Sequence, residues 1–125
     1  MGRANRPRDT SPELRLRREL HRRGFRYRVH RRPEPDIRVT ADILFGPAKV
    51  AVFVDGCFWH RCPDHCVMPK GNAAWWDAKL QANRERDRHN DEMLRAHDWG
   101  VVRVWEHEDP QSAADRISGM IDSAR

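Results

Sequence analysis

The segment Asp55-Gly56-Cys57-Phe58-Trp59-His60-Arg61-Cys62-Pro63-Asp64-His65-Cys66 gathers thiols, imidazoles, two carboxylates and two large aromatic rings into one short stretch. Thiolates and imidazoles at such spacing are what a zinc-bound loop needs. The preferred ligand set is Cys57, Cys62, His65 and His107, with Cys66 competing for one place. Four protein ligands leave no open position on a tetrahedral ion, so this zinc is expected to be structural. A second chemistry rests on Asp42 and Asp55, each near the end of an apolar run. Magnesium dehydrates reluctantly and usually takes one or two carboxylates plus phosphate oxygens and waters, a role that suits Asp42. An unperturbed imidazole has its pKa near working pH, so a histidine at position 60, His60, is suited to deprotonating a water. Glu13 can reach these groups only through tertiary packing. Metal ligands, strand-end carboxylates and a basic background together point to a small metal-dependent nuclease.

The elements that must position these residues are legible as patterns. Residues 1–9, rich in Arg, Asn and Pro, read as a flexible basic arm, and residues 10–125 as a single domain. Thr10-Ser11-Pro12-Glu13 reads as a helix start with a capping box. Leu14, Leu16 and Leu20 supply the apolar stripe, and Gly24 ends the helix. Phe25, Tyr27 and Val29 alternate with arginines as in a half-buried strand or extended segment, followed by a loop from His30 to Pro35. Strands are expected at Arg38–Phe45 and Lys49–Val54, joined at Gly46-Pro47; the second is apolar throughout and so central in a sheet. The short turn makes them antiparallel, but periodicity leaves open whether Asp42 and Asp55 meet or lie at opposite ends.

After a long loop at about 56–73, a helix is expected over Trp75–His97, its charged middle, 83–88, facing solvent or a ligand. A strand over Val101–Trp105 and a helix from Pro110 to about Ser123 complete the order α-β-β-β-α-β-α: an α/β fold with a central mixed sheet flanked by helices. Trp99 and Trp105 are expected in its core.

The formal net charge is +5, and arginines crowd the first 38 residues. Guanidinium forks match phosphate oxygens, so a nucleic-acid partner is favoured over a merely solubilised surface. The three cysteines fall in one loop and no secretory signal is evident, which argues for reduced thiolates and a cytoplasmic protein. No apolar run reaches membrane-spanning length.

Asp55-Gly56-Cys57-Phe58-Trp59-His60, with Cys62-Pro63-Asp64-His65 after it and Val102-Arg103-Val104-Trp105-Glu106-His107 later, closely resembles the very-short-patch repair (Vsr) DNA mismatch endonucleases. The likeness runs from about Asn5 to Glu108. It implies a restriction-endonuclease-like core, a structural zinc loop, and magnesium-dependent nicking of duplex DNA on the 5′ side of the thymine in a T·G mismatch. It makes Asp42 the magnesium carboxylate, His60 the general base and Glu13 a supporting acidic residue. Asp55 stands where some members carry a second active-site histidine, and Val54 where they carry threonine. An aspartate at 55 can supply a second metal carboxylate, and the Val54 backbone carbonyl can still ligate magnesium. Phe58 and Trp59 match the family's aromatic wedge, and Trp76 resembles a third intercalating ring; such a wedge opens the base stack most cheaply at a mismatch.

The expected partner is T·G-mismatched double-stranded DNA, met by a monomer in the cytoplasm, at the nucleoid, with mismatch-repair proteins as candidate associates. The rival readings are a restriction or defence nuclease on the same scaffold, and a zinc-containing DNA-binding module impaired in catalysis through Val54-Asp55.

Overall fold

Glu13, Leu16 and Leu20 recur at helical spacing and are all buried, which sets the inward face of helix α1 (Ser11–Arg22). The helix ends in a left-handed glycine, Gly24, with φ +88°. The Phe25 N–H returns to the Leu20 carbonyl at 3.1 Å and the Gly24 N–H to that of His21 at 3.0 Å, a Schellman cap. The computed structural model describes residues 11–55, 71 and 73–124. The expected basic arm and most of the 56–73 loop, with Cys57, Phe58, Trp59, His60, Cys62, His65 and Cys66, lie outside them.

Strands β1 (Arg28–Arg31), β2 (Ala41–Phe45), β3 (Val50–Asp55) and β4 (Gly100–Trp105) form one four-stranded sheet in that order. β1, β2 and β3 run antiparallel in succession, and β4 adds parallel to β3, so the sheet is mixed, as expected. β2 and β3 are buried along their whole lengths, which explains why they are apolar apart from Asp42 and Asp55. Helix α1 packs with α3 (Pro110–Ala124) on one face, around Leu16, Leu20, Val52, Val54, Val104 and Ile117. Helix α2 (Ala73–Ala96) covers the other, where Leu94 and Trp99 meet Ala51, Phe53 and Val101. Among the described residues, no helix is long and apolar enough to cross a membrane.

Two local differences from the sequence patterns matter for the site. β2 begins at Ala41, not Arg38, because pairing with β1 ends at Arg31↔Ala41 and the Val39 N–H turns back onto the Ile37 carbonyl at 2.8 Å. His30, read as the start of a loop, instead lies inside β1, opposite Asp42. Trp99 is buried as expected, whereas Trp105 is only partly so.

Gly100 opens β4 where space is tight: its N–H meets the Lys49 carbonyl at 2.7 Å, and a Cβ there would lie 3.2 Å from Met120 Cγ. Pro110 starts α3 as expected, with Asp109 capping the Ser112 N–H at 3.1 Å.

Candidate active site

The β2–β3 register runs Phe45↔Val50, Leu44↔Ala51 and Ile43↔Val52, then pairing stops. Asp42 is the next residue on β2, and its side chain occupies the opening: Asp42 Oδ2 accepts the Val54 N–H at 2.7 Å. A buried carboxylate is thereby held between two strands by a backbone donor. In an extended strand the N–H and C=O of one residue leave on the same side. The Asp55 carbonyl is directed at β4, where it accepts the Glu106 N–H at 3.0 Å, so the Val54 carbonyl leaves on the side of β2 and Asp42.

Glu13 reaches this point from the first turn of α1, where the helix dipole favours a negative charge. Its Oε2 lies 3.0 Å from His30 Nε2 and accepts from Arg17 Nη2 at 3.1 Å. Glu13, His30 and Asp42 each offer a ligand atom, and these atoms all lie within 4.8 Å of one another. Ligands on opposite sides of a magnesium-sized ion are about 4.2 Å apart and adjacent ones about 3.0 Å, from bonds of about 2.1 Å. The cluster therefore fits a small divalent ion, with two carboxylates as the hard donors such an ion requires.

Asp55 stands at the same end of the sheet, which answers the question the sequence left open, but its carboxylate has another partner. Arg103 Nη1 donates to Asp55 Oδ1 at 2.9 Å, while Nε and Nη2 grip Asp91 of α2 at 3.0 and 2.8 Å. Asp87 lies 3.8 Å from the same guanidinium, which sits 4.4 Å from the centre of the Phe53 ring. Burial works against the charge on Arg103, but the hydrogen bonds to Asp91 and the charges of Asp55, Asp87 and Asp91 outweigh it and push its pKa well above the usual arginine range. The inward stripe of α2 thus runs Leu80, Asp87, Asp91, Leu94, with Asp87 and Asp91 facing a cation on β4, while Arg84, Glu85, Arg86 and Arg88 of the charged middle are exposed, as expected.

The other described residues of the expected sites are Trp76 and His107. Trp76 is half-buried near the start of α2 and packs edge-on to Trp75, ring centres 4.9 Å apart; Trp75 is 57% exposed. His107 is exposed beyond β4 and stacks on Trp105. Trp105 pairs with Asp55, so His107 stands at the sheet end from which the cysteine-bearing segment departs.

His30 and Arg103 are the residues that pattern reading missed. Nothing in the spacing of His30 marks it, because its place opposite Asp42 comes from the β1–β2 pairing. Arg103 did leave a signal: a lone charge inside Val101–Trp105, an otherwise apolar strand, demands a buried counter-charge.

A mixed sheet with helices on both faces and a carboxylate–imidazole cluster where two strands part defines the chain as an α/β protein with a group of side chains that could hold a metal ion. The family model described as DNA mismatch endonuclease Vsr matches residues 1–67, more than half the chain. The chain is 45% identical over 122 residues to the type II nicking enzyme V.NaeI of Lentzea aerocolonigenes, covering 96% of this chain and 72% of that one. It is 38% identical over 104 residues to the type II nicking enzyme V.XorIIP of Xanthomonas oryzae pv. oryzae, covering 82% and 74%. With the DNA mismatch endonuclease Vsr of Escherichia coli K12 it shares 34% identity over 102 residues, covering 79% and 62%. The chain belongs to the Vsr family of endonucleases, and its mixed sheet is consistent with that family's restriction-endonuclease-like fold.

Proposed function

We propose that this endonuclease is magnesium-dependent and nicks duplex DNA on the 5′ side of the thymine in a T·G mismatch. The observation that carries the reading is the buried Asp42–Glu13 carboxylate pair at the end of β2 in a chain of the Vsr family. The names of its relatives, nicking enzymes and a mismatch endonuclease, support a single-strand cut at a mispair.

Asp42 and the Val54 carbonyl would hold the magnesium ion, with Glu13 supporting it. When bound, the ion supplies positive charge to the phosphate oxygens as the transition state develops. Asp42 keeps its orientation through the Val54 N–H, so its charge is in place before DNA arrives. His60 accepts a proton from the water that attacks phosphorus. The P–O3′ bond breaks, leaving a 5′-phosphate and a 3′-hydroxyl. Asp55 acts from its place beside Arg103 at the root of the segment that carries His60.

Cys57, Cys62, His65 and His107, with Cys66 as the competing thiol, form a donor set of thiolates and imidazoles that suits structural zinc. A zinc there would hold Phe58 and Trp59 as the wedge, with Trp76 as a third ring against the opened stack. The enzyme acts as a monomer in the cytoplasm, at the nucleoid.

The test is a nicking assay on labelled duplexes with a T·G mismatch and their T·A twins, in several flanking sequences, with and without magnesium. Magnesium-dependent cutting 5′ of the mispaired thymine, absent from the twins, is the expected result. Equal cutting of both would replace the repair reading with a restriction-type one, and binding without cutting would make the chain a DNA-binding module.

A further inference from the structure

We propose that His30 is a nitrogen ligand of the divalent-ion site and tilts that site toward Mn2+ over Mg2+ relative to an all-oxygen centre. The proposal rests on the reading of Asp42 and Glu13 as the ion's carboxylates. Three observations place the imidazole there. The pairs Arg28↔Leu44, Val29↔Ile43 and Arg31↔Ala41 put residue 30 directly opposite Asp42. The side chain is 6% exposed, and that of Glu13 only 3%. His30 Nε2 lies 3.0 Å from Glu13 Oε2, the separation of about 3.0 Å expected for neighbouring ligands on an octahedral ion with bonds of about 2.1 Å.

The backbone at His30 is unusual for its setting, with φ +53° inside a strand. Histidine tolerates this region better than β-branched residues, and β1 departs here from strict alternation, with Arg28 and Arg31 exposed and Val29 and His30 partly buried. Arg17 shares the Glu13 oxygen and offsets part of its charge. A neutral imidazole adds a donor to the ion without adding negative charge against the incoming phosphate. Magnesium gains little from nitrogen, because it is a hard ion that favours oxygen; Mn2+ accepts imidazole more readily. The rival role is purely local: His30 hydrogen-bonds Glu13 and holds its carboxylate in place.

Calorimetric titration of the full chain with MnCl2 and with MgCl2, without DNA, separates the two. Mn2+ is expected to bind at least about tenfold tighter than Mg2+. His30→Gln keeps a hydrogen-bond donor for Glu13 but removes the ring nitrogen. It should weaken Mn2+ binding about tenfold and Mg2+ binding less than about threefold. Pulsed electron paramagnetic resonance of the bound Mn2+ should show coupling to a directly ligated nitrogen, lost in His30→Gln and in His30→Asn. An unchanged Mn2+/Mg2+ ratio in both variants, or the absence of nitrogen coupling in the parent, overturns the proposal. Asp42→Asn locates a failure. If it abolishes Mn2+ binding while the His30 variants leave the ratio intact, only the His30 assignment falls. If Mn2+ binds Asp42→Asn undiminished, the carboxylate site itself is wrong, and the His30 proposal falls with it.

Discussion

The backbone N–H of Val54 donates to Asp42 Oδ2 at 2.7 Å across the opening where β2 and β3 cease to pair. The bond explains why a carboxylate can stay buried in an apolar strand, and it separates two roles that a substitution can distinguish. Asp42→Asn retains an acceptor for Val54 but removes the charge. Nicking should fall at least about a hundredfold, while the melting temperature moves by no more than about 4 °C. Single-turnover nicking and thermal unfolding check the two halves. Full activity in Asp42→Asn, or in Asp42→Ala with zinc content intact, would refute the assignment.

Arg103 is ion-paired with Asp55, Asp87 and Asp91, so removing it leaves acidic groups close together in a half-buried place. Arg103→Met should destabilise the protein by about 2–4 kcal/mol, the lower part of the range reflecting a side chain still 22% exposed. Asp55→Asn combined with Arg103→Gln should cost less than the sum of the two single changes by about 1 kcal/mol or more. Urea unfolding of the four proteins measures this, and strict additivity would show that the pair is not coupled.

Magnesium and zinc should be separable. Dialysis into magnesium-free buffer should stop nicking, and adding MgCl2 should restore it, with zinc by atomic absorption remaining at about one ion per chain throughout. Undiminished nicking in magnesium-free buffer would remove the hydrolytic role assigned to Asp42. A zinc content near zero would remove the structural role assigned to Cys57, Cys62, His65 and His107.

Phe58→Ala with Trp59→Ala should lower the preference for T·G over T·A duplex by about tenfold or more, because each lost stacking contact is worth about 1–3 kcal/mol. Rates on both duplexes, measured at equal zinc content, give the ratio. An unchanged ratio would assign those rings to packing.

The element order, the central place of β3, and the helix starts at Ser11 and Pro110 were readable from the chain itself. Those features depend on local rules: cap residues, glycine stops, and apolar runs of strand length. The family likeness was readable for the same reason, since its motifs are contiguous. What the sequence left open was the relation between groups far apart along the chain. Strand pairing decided that His30 faces Asp42, and helix packing brought Glu13 to them from the first turn of α1. The parallel β3–β4 pairing, with α2 across that face, decided that Asp55 meets Arg103 and that Asp87 and Asp91 of α2 turn inward. Hydrophobic periodicity determines which face of an element is buried, but it carries no information about which buried charge meets which; register and the approach of one element to another settle that only when the chain folds.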